Sequence, residues 1–130
     1  MTHAFKAHVR RFPMAALACL FVAPLPAFAQ QDRGAKLFEE CAACHAAKPR
    51  GPDDVGPALG GVVGRKAASR DDFRYSGPMR RSGLTWDRAT LDRYLTDPQA
   101  AVPGTRMPYS GMPNADDRKA LIDYLEKGLK

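Results

Sequence analysis

Apolar residues fall into three stripes at helical spacing, separated by stretches rich in glycine and proline. Between Gly34 and Cys44, the positions Leu37, Phe38, Cys41 and Cys44 recur every three or four residues. This spacing predicts one short amphipathic helix with both thiols on the same side. A second stripe, Leu91, Tyr94 and Leu95, predicts a helix over 88–96 that Asp87 can cap and Asp97-Pro98 ends. The same dipeptide can open a further short turn through Ala101, because proline suits the first helical position. A third stripe, Leu121, Tyr124 and Leu125, predicts a helix starting after Asn114, with Asp116 and Asp117 favourable near its positive end. Residues 48–64 and 103–113 read as loops, the first free to wrap closely around a flat ligand. No alternating run signals a strand, so the expected fold class is all-α.

The first residues follow a different pattern. His3, Lys6, His8, Arg10 and Arg11 precede an apolar run from Phe12 to Val22, and Ala27-Phe28-Ala29 follows. This is the order of a secretory signal, with cleavage expected after Ala29. A bilayer helix needs about 20 predominantly apolar residues, whereas this run is short and carries Pro13, with Pro24 and Pro26 just beyond. Membrane anchoring is therefore not expected. Ala16-Leu17-Ala18-Cys19 faintly suggests a lipidation site, but the apolar stretch continues past Cys19 instead of ending there. The expected organisation is a signal peptide over 1–29 and a single, monomeric domain over 30–130, located in the periplasm. The leader takes Lys6, Arg10 and Arg11 with it, lowering the 20 basic residues to 17 against 14 acidic ones, a net +3. So weak an excess does not argue for nucleic acid.

Beyond the leader the chain keeps two cysteines, Cys41 and Cys44, and an exported pair would ordinarily form a disulfide. The adjoining residue points elsewhere. Cys41-Ala42-Ala43-Cys44-His45 is the Cys-x-x-Cys-His pattern of c-type haem attachment, in which two thiols tether the vinyl groups and the histidine ligates iron. His45 is also the only histidine after residue 29. A zinc site would need about four protein ligands, more than the available Cys and His residues provide. A thioredoxin-like site expects a βαβ setting that the sequence lacks. Gly60 to Lys66 looks superficially like a phosphate loop but lacks its spacing and its final Ser or Thr. One covalently attached haem c, with its iron, is the expected cofactor. A distal iron ligand must be a soft or nitrogen donor, and the candidates are Met79, Met107 and Met112, although methionines in a core usually only pack.

Further landmarks are Gly56-Pro57-Ala58-Leu59, Gly64-Arg65-Lys66, Tyr75-Ser76, Gly83-Leu84-Thr85-Trp86 and Pro103-Gly104-Thr105-Arg106-Met107. With these in order, residues 33–127 resemble the class I cytochromes c, particularly the mitochondrial type and its relatives in photosynthetic bacteria. The resemblance implies three main helices and loops wrapped around one covalent haem, with the N- and C-terminal helices crossing. A domain this small, with 8% aromatic residues, would draw much of its apolar core from the porphyrin. The resemblance also implies His45 as proximal ligand, its other ring nitrogen bonded to the Pro57 carbonyl, and Met107 as distal ligand. Tyr75 and Trp86 would bond a buried haem propionate, with Arg65 supplying nearby charge. Tyr94 and Thr105 would line the methionine side.

Two groups of positions depart from the resembling proteins. Met79 stands where mitochondrial relatives keep an asparagine beside a buried water, and a thioether donates nothing and accepts weakly. The lysines that ring the mitochondrial haem edge are replaced by Glu40, Asp54, Gln99, Ala100, Pro113 and Asn114, with Arg106 retained. Basic residues gather instead at Arg65, Lys66, Arg70, Arg74, Arg80 and Arg81, diluted by Asp71 and Asp72. His/Met ligation leaves no open iron position, which implies a one-electron carrier rather than an enzyme. Its expected partners are a redox donor and acceptor among oxidases, reductases, photosynthetic centres or dehydrogenases. Alternative readings are an electron-accepting subunit of a periplasmic dehydrogenase, or a haem sensor or enzyme with an open iron site.

Overall fold

The computed structural model describes residues 27–129, with the side chains of Ala27 and Phe28 excepted. All but the last three residues of the expected signal segment lie outside that range. Five helices follow in order: α1 Ala27–Cys41, α2 Gly77–Arg81, α3 Arg88–Thr96, α4 Pro98–Ala101 and α5 Ala115–Lys127. Among the described residues, extended pairing is limited to one isolated bridge between Lys66 and Thr85. The all-α expectation therefore agrees with the architecture.

Side chains that satisfy the free amides of the first turn start four of these helices. Asp87 accepts from the Thr90 amide at 2.7 Å, and Asn114 from that of Asp117 at 3.0 Å. Asp97 ends α3 and also caps α4, accepting from the Ala100 amide at 3.0 Å. The short α2 has no counterpart in the apolar pattern, since five residues cannot show a period. Ser76 caps it through the Met79 amide at 3.2 Å, and Pro78 lies in its first turn.

The first helix differs from its expected span of 34–44. It begins by Ala27 and stops at Cys41, and Ala42 to Cys44 form a turn. The Cys41 carbonyl accepts from both the Cys44 amide, at 3.1 Å, and the His45 amide, at 2.9 Å. Such tightening at a helix end preserves the three-residue spacing of the thiols, so apolar periodicity alone cannot separate the last helical turn from the turn that follows.

α1 lies across α5 at Gly34. A Cβ on Gly34 would stand 2.3 Å from the Ala120 carbonyl oxygen and 2.6 Å from the Tyr124 Cβ. Only glycine permits this approach. Phe38 and Tyr124 then meet with ring centroids 5.5 Å apart, and Arg33 pairs with Asp117 at 2.6 Å. α3 joins α5 through Leu91, Leu95, Leu121 and Leu125, all buried, while Arg88 bridges to Asp123 and, at 2.6 Å, to Glu126. Against this core lean half-buried apolar residues, among them Leu37, Leu59, Val63, Leu84, Met107 and Tyr109.

Gly34→Ala tests the crossing. On an open helix surface the change would stabilise by about 1 kcal/mol. Here overpacking against backbone should dominate, with a loss of about 2–3 kcal/mol in denaturant unfolding of the haem-loaded protein.

Candidate functional site

The end of α1 delivers the attachment motif. Cys41 and Cys44 are both free thiols and half-buried. Burial, reinforced by the negative charge of Glu40, pushes the Cys41 thiol above its ordinary pKa. His45 follows in the turn, with Nδ1 2.7 Å from the Pro57 carbonyl oxygen. Because a carbonyl can only accept, Nδ1 carries the proton, and the Nε2 lone pair is left for a metal. Burial lowers the His45 pKa, opposed by the Pro57 bond and assisted by the charge of Arg50. The ring is therefore held neutral across a wider pH range, as metal ligation requires.

Main-chain bonds strap 56–60 along 44–47. The Gly56 amide donates to the Cys44 carbonyl at 3.0 Å, Leu59 to Ala46 at 2.8 Å and Gly60 to Ala47 at 2.9 Å. A Cβ on Gly56 would lie 2.7 Å from His45 Cε1 and 2.8 Å from Nδ1. Glycine there leaves room for the imidazole to reach the next residue's carbonyl. The Pro57 carbonyl thus faces the fixed nitrogen of His45.

Arg65 fixes the same loop from its far end. Its Nη1 donates to the Gly60 carbonyl at 3.0 Å and its Nη2 to that of Ala58 at 2.9 Å. Burial lowers its pKa, while Tyr75 and Asp72 act in the opposite direction. Trp86 is buried, and its amide donates to the Arg65 carbonyl at 2.9 Å. Burial also raises the Tyr75 pKa against the nearby charges of Arg65 and Arg70. Arg65 and Trp86 thus meet through the backbone, and Tyr75 lies within reach of the Arg65 charge.

Toward the loop of 103–113, Tyr94 packs edge-on against Trp86 with centroids 4.9 Å apart, and its hydroxyl lies 3.0 Å from Thr105 Oγ1. Thr105 is buried and Met107 is half-buried. Met79 and Met112 are core residues at 8% and 7% exposure. The sequence reading missed two residues that hold this loop. Gln99, noted only as a replaced lysine, donates to the Thr105 carbonyl at 3.0 Å and accepts from the Gly104 amide at 3.2 Å. Arg118, a charge lying one turn before the apolar stripe of α5, is buried and bonds the carbonyls of Met112 and Pro113. A cation embedded beside an apolar stripe was the available signal.

Glu40, Gln99, Ala100, Pro113 and Asn114 are exposed, and half-buried Asp54 accepts from the Arg50 amide at 2.9 Å. Within the basic cluster Arg70 pairs with Asp72, Arg80 donates to the Tyr75 carbonyl, and Arg106 donates to the Arg74 carbonyl.

Two unpaired thiols, an imidazole with one nitrogen fixed and one free, and a half-buried apolar wall suit a flat, apolar, iron-bearing group tethered at the end of a helix. They define a small helical haem protein. The family model for cytochrome c matches residues 31–128. Cytochrome c2 of Rhodoblastus acidophilus is 48% identical over 96 residues, covering 74% of this chain and 90% of that protein. Cytochrome c of Gibberella zeae is 39% identical over 99 residues, covering 75% and 93%. The solved structure of cytochrome cH from Methylobacterium extorquens superposes with a TM-score of 0.69 at 41% identity, covering 74% of this chain and 96% of that one. The chain belongs to the cytochrome c family. It is a monohaem electron carrier with haem c attached covalently, Cys41 to His45 fit the attachment motif, and its partners are redox proteins.

Each thiol provides one tether, so Cys41→Ala and Cys44→Ala should each lower the yield of haem-loaded protein several-fold. Haem absorbance per mole of purified chain measures this, and intact mass of the unsubstituted protein should show one haem and no disulfide.

Proposed function

We propose that the protein is a periplasmic one-electron carrier in which His45 Nε2 and the Met107 sulfur would hold the haem iron. The observation that carries this reading is the unequal setting of the three candidate methionines. Met79 and Met112 are enclosed in the core, whereas Met107 is half-buried in a loop fixed by Thr105 and Gln99. When bound, the haem supplies a one-electron iron couple.

The chain's own residues set the conditions for that couple. The Pro57 carbonyl orients His45 and strengthens it as a donor. A thioether from Met107 would favour the reduced state relative to a second imidazole, and with His45 it would leave the iron no open position for a substrate. Thr105 and Tyr94 support the loop from within. Burying a propionate without partners would be costly, and Tyr75, Trp86 and Arg65 are the groups assigned to receive it. The donor and acceptor belong among oxidases, reductases, photosynthetic centres and dehydrogenases. Export rests on the leader pattern of residues 1–29, and no helix among the described residues is long and apolar enough to cross a membrane.

Met107→Ala should abolish the weak red absorption band of ferric iron bonded to sulfur and open the iron to added ligands, with the haem still tethered. Met112→Ala and Met79→Ala should keep the band. If Met112→Ala alone removes it, the axial assignment is wrong.

For export, intact mass of protein recovered from the periplasm should correspond to a chain beginning at Gln30 with one haem. A chain retaining residues 1–29 would overturn the cleavage site.

A further inference from the structure

The loop that bears Met107 is held at both ends, at its start by neutral groups and at its far end by a buried cation. At its start, Gln99 and Tyr94 act through Gly104 and Thr105, and Gln99 is exposed. At its far end the donor is buried and its bond to Met112 is buried with it. Arg118 lies in the first turns of α5 at 8% exposure, and its guanidinium turns back toward the loop. Nη1 donates to the Met112 carbonyl at 2.8 Å and to the Pro113 carbonyl at 2.9 Å. Nε donates to Asp92 Oδ1 on α3 at 2.7 Å, which offsets the buried charge and sets the plane of the group.

The loop backbone meets α3 at the same point. The Met112 amide donates to the Leu95 carbonyl at 2.7 Å. Gly111 has φ +103°, and a Cβ there would stand 2.1 Å from the Thr96 carbonyl oxygen. Residues 111–113 are therefore fastened to α3 and α5 together, a few positions beyond Met107. Bonds from a buried cation to carbonyls are stronger than neutral ones, and removing the donor leaves those carbonyls unpaired.

We propose that Arg118 is a positioning residue for the sixth iron ligand: by clamping the Met112 and Pro113 carbonyls it keeps the Met107 loop closed against external ligands. This rests on Met107 being that ligand. An outside ligand can bind only the fraction of molecules whose loop is open, so its apparent affinity rises in proportion to that fraction. Local opening of this kind is separable from global unfolding.

The test uses the haem-loaded ferric protein, titrated with imidazole and followed by loss of the red band, with denaturant midpoints measured in parallel. Arg118→Met removes every donor at similar length. Asp92→Asn, on a half-exposed residue, weakens the guanidinium's support without altering the core. Leu125→Ala, farther along α5, is the control for general destabilisation. Arg118→Met should tighten imidazole binding about tenfold or more and Asp92→Asn about threefold, through a larger open fraction. Leu125→Ala should lower the midpoint but leave imidazole affinity within about twofold, since its loss acts on global unfolding.

Unchanged imidazole affinity in both Arg118→Met and Asp92→Asn overturns the proposal, as does equal tightening by Leu125→Ala. If Arg118→Met does not fold, Asp92→Asn decides alone, and no change there overturns it. A red band that survives Met107→Ala overturns the ligand assignment and this proposal together. A band lost in Met107→Ala without any effect of the clamp variants overturns the clamp alone.

Discussion

The approach of Gly34 to the Ala120 carbonyl sets the depth at which α1 lies on α5, and the site is arranged from that contact. With the two backbones this close, Phe38 reaches Tyr124 and the last turn of α1 ends beside the buried face of the domain. Cys41 is placed by that helix end, Cys44 and His45 by the turn that shares its carbonyl. A bulkier residue at 34 would lift the helix and displace all three together. A crossing about two turns before the thiols, against a helix remote from them in sequence, thus governs the geometry of haem attachment.

Beyond the helices, the loops that surround the site have little repeating hydrogen bonding of their own. They are fixed by side chains that donate to backbone carbonyls. His45 bonds Pro57, Arg65 bonds Ala58 and Gly60, Gln99 bonds Thr105, and Arg118 bonds Met112 and Pro113. Two of these donors are arginines, whose planar group can reach two carbonyls from one position. The arrangement satisfies carbonyls that are buried or half-buried, and it gives irregular backbone a single conformation. On the histidine side it also selects a tautomer. On the methionine side it ties the loop to α3 and α5.

The cofactor belongs to this account as part of the core. Leu37, Leu59, Val63, Leu84 and Tyr109 are half-buried and lean on a centre formed by Phe38, Leu91, Leu121 and Ile122. A domain of about 100 residues buries a limited share of its surface, and a large apolar group held by covalent bonds extends the core it can build. The thiols are spaced to accept such a group and are not joined to each other.

The sequence by itself determined whatever depends on neighbouring residues. Caps at Asp87, Asp97 and Asn114, the stripes of α3 and α5, and the Cys-x-x-Cys-His motif are local, because a cap or a helical face involves residues a few positions apart. The resemblance placed Pro57, Thr105 and Met107 in their loops and implied the bond between His45 and Pro57, but it did not say what holds the loop of Thr105 and Met107. Tertiary structure decided that α1 stops at Cys41, that a five-residue helix follows Ser76, and that Gln99 serves the methionine loop. It decided as well that Arg118 turns inward. These outcomes depend on partners far along the chain: Arg118 meets Asp92, Gly34 meets Ala120, and His45 meets Pro57. No period or local propensity encodes such pairings, since they exist only once the helices have packed and a buried donor must find the carbonyl that packing has brought within reach.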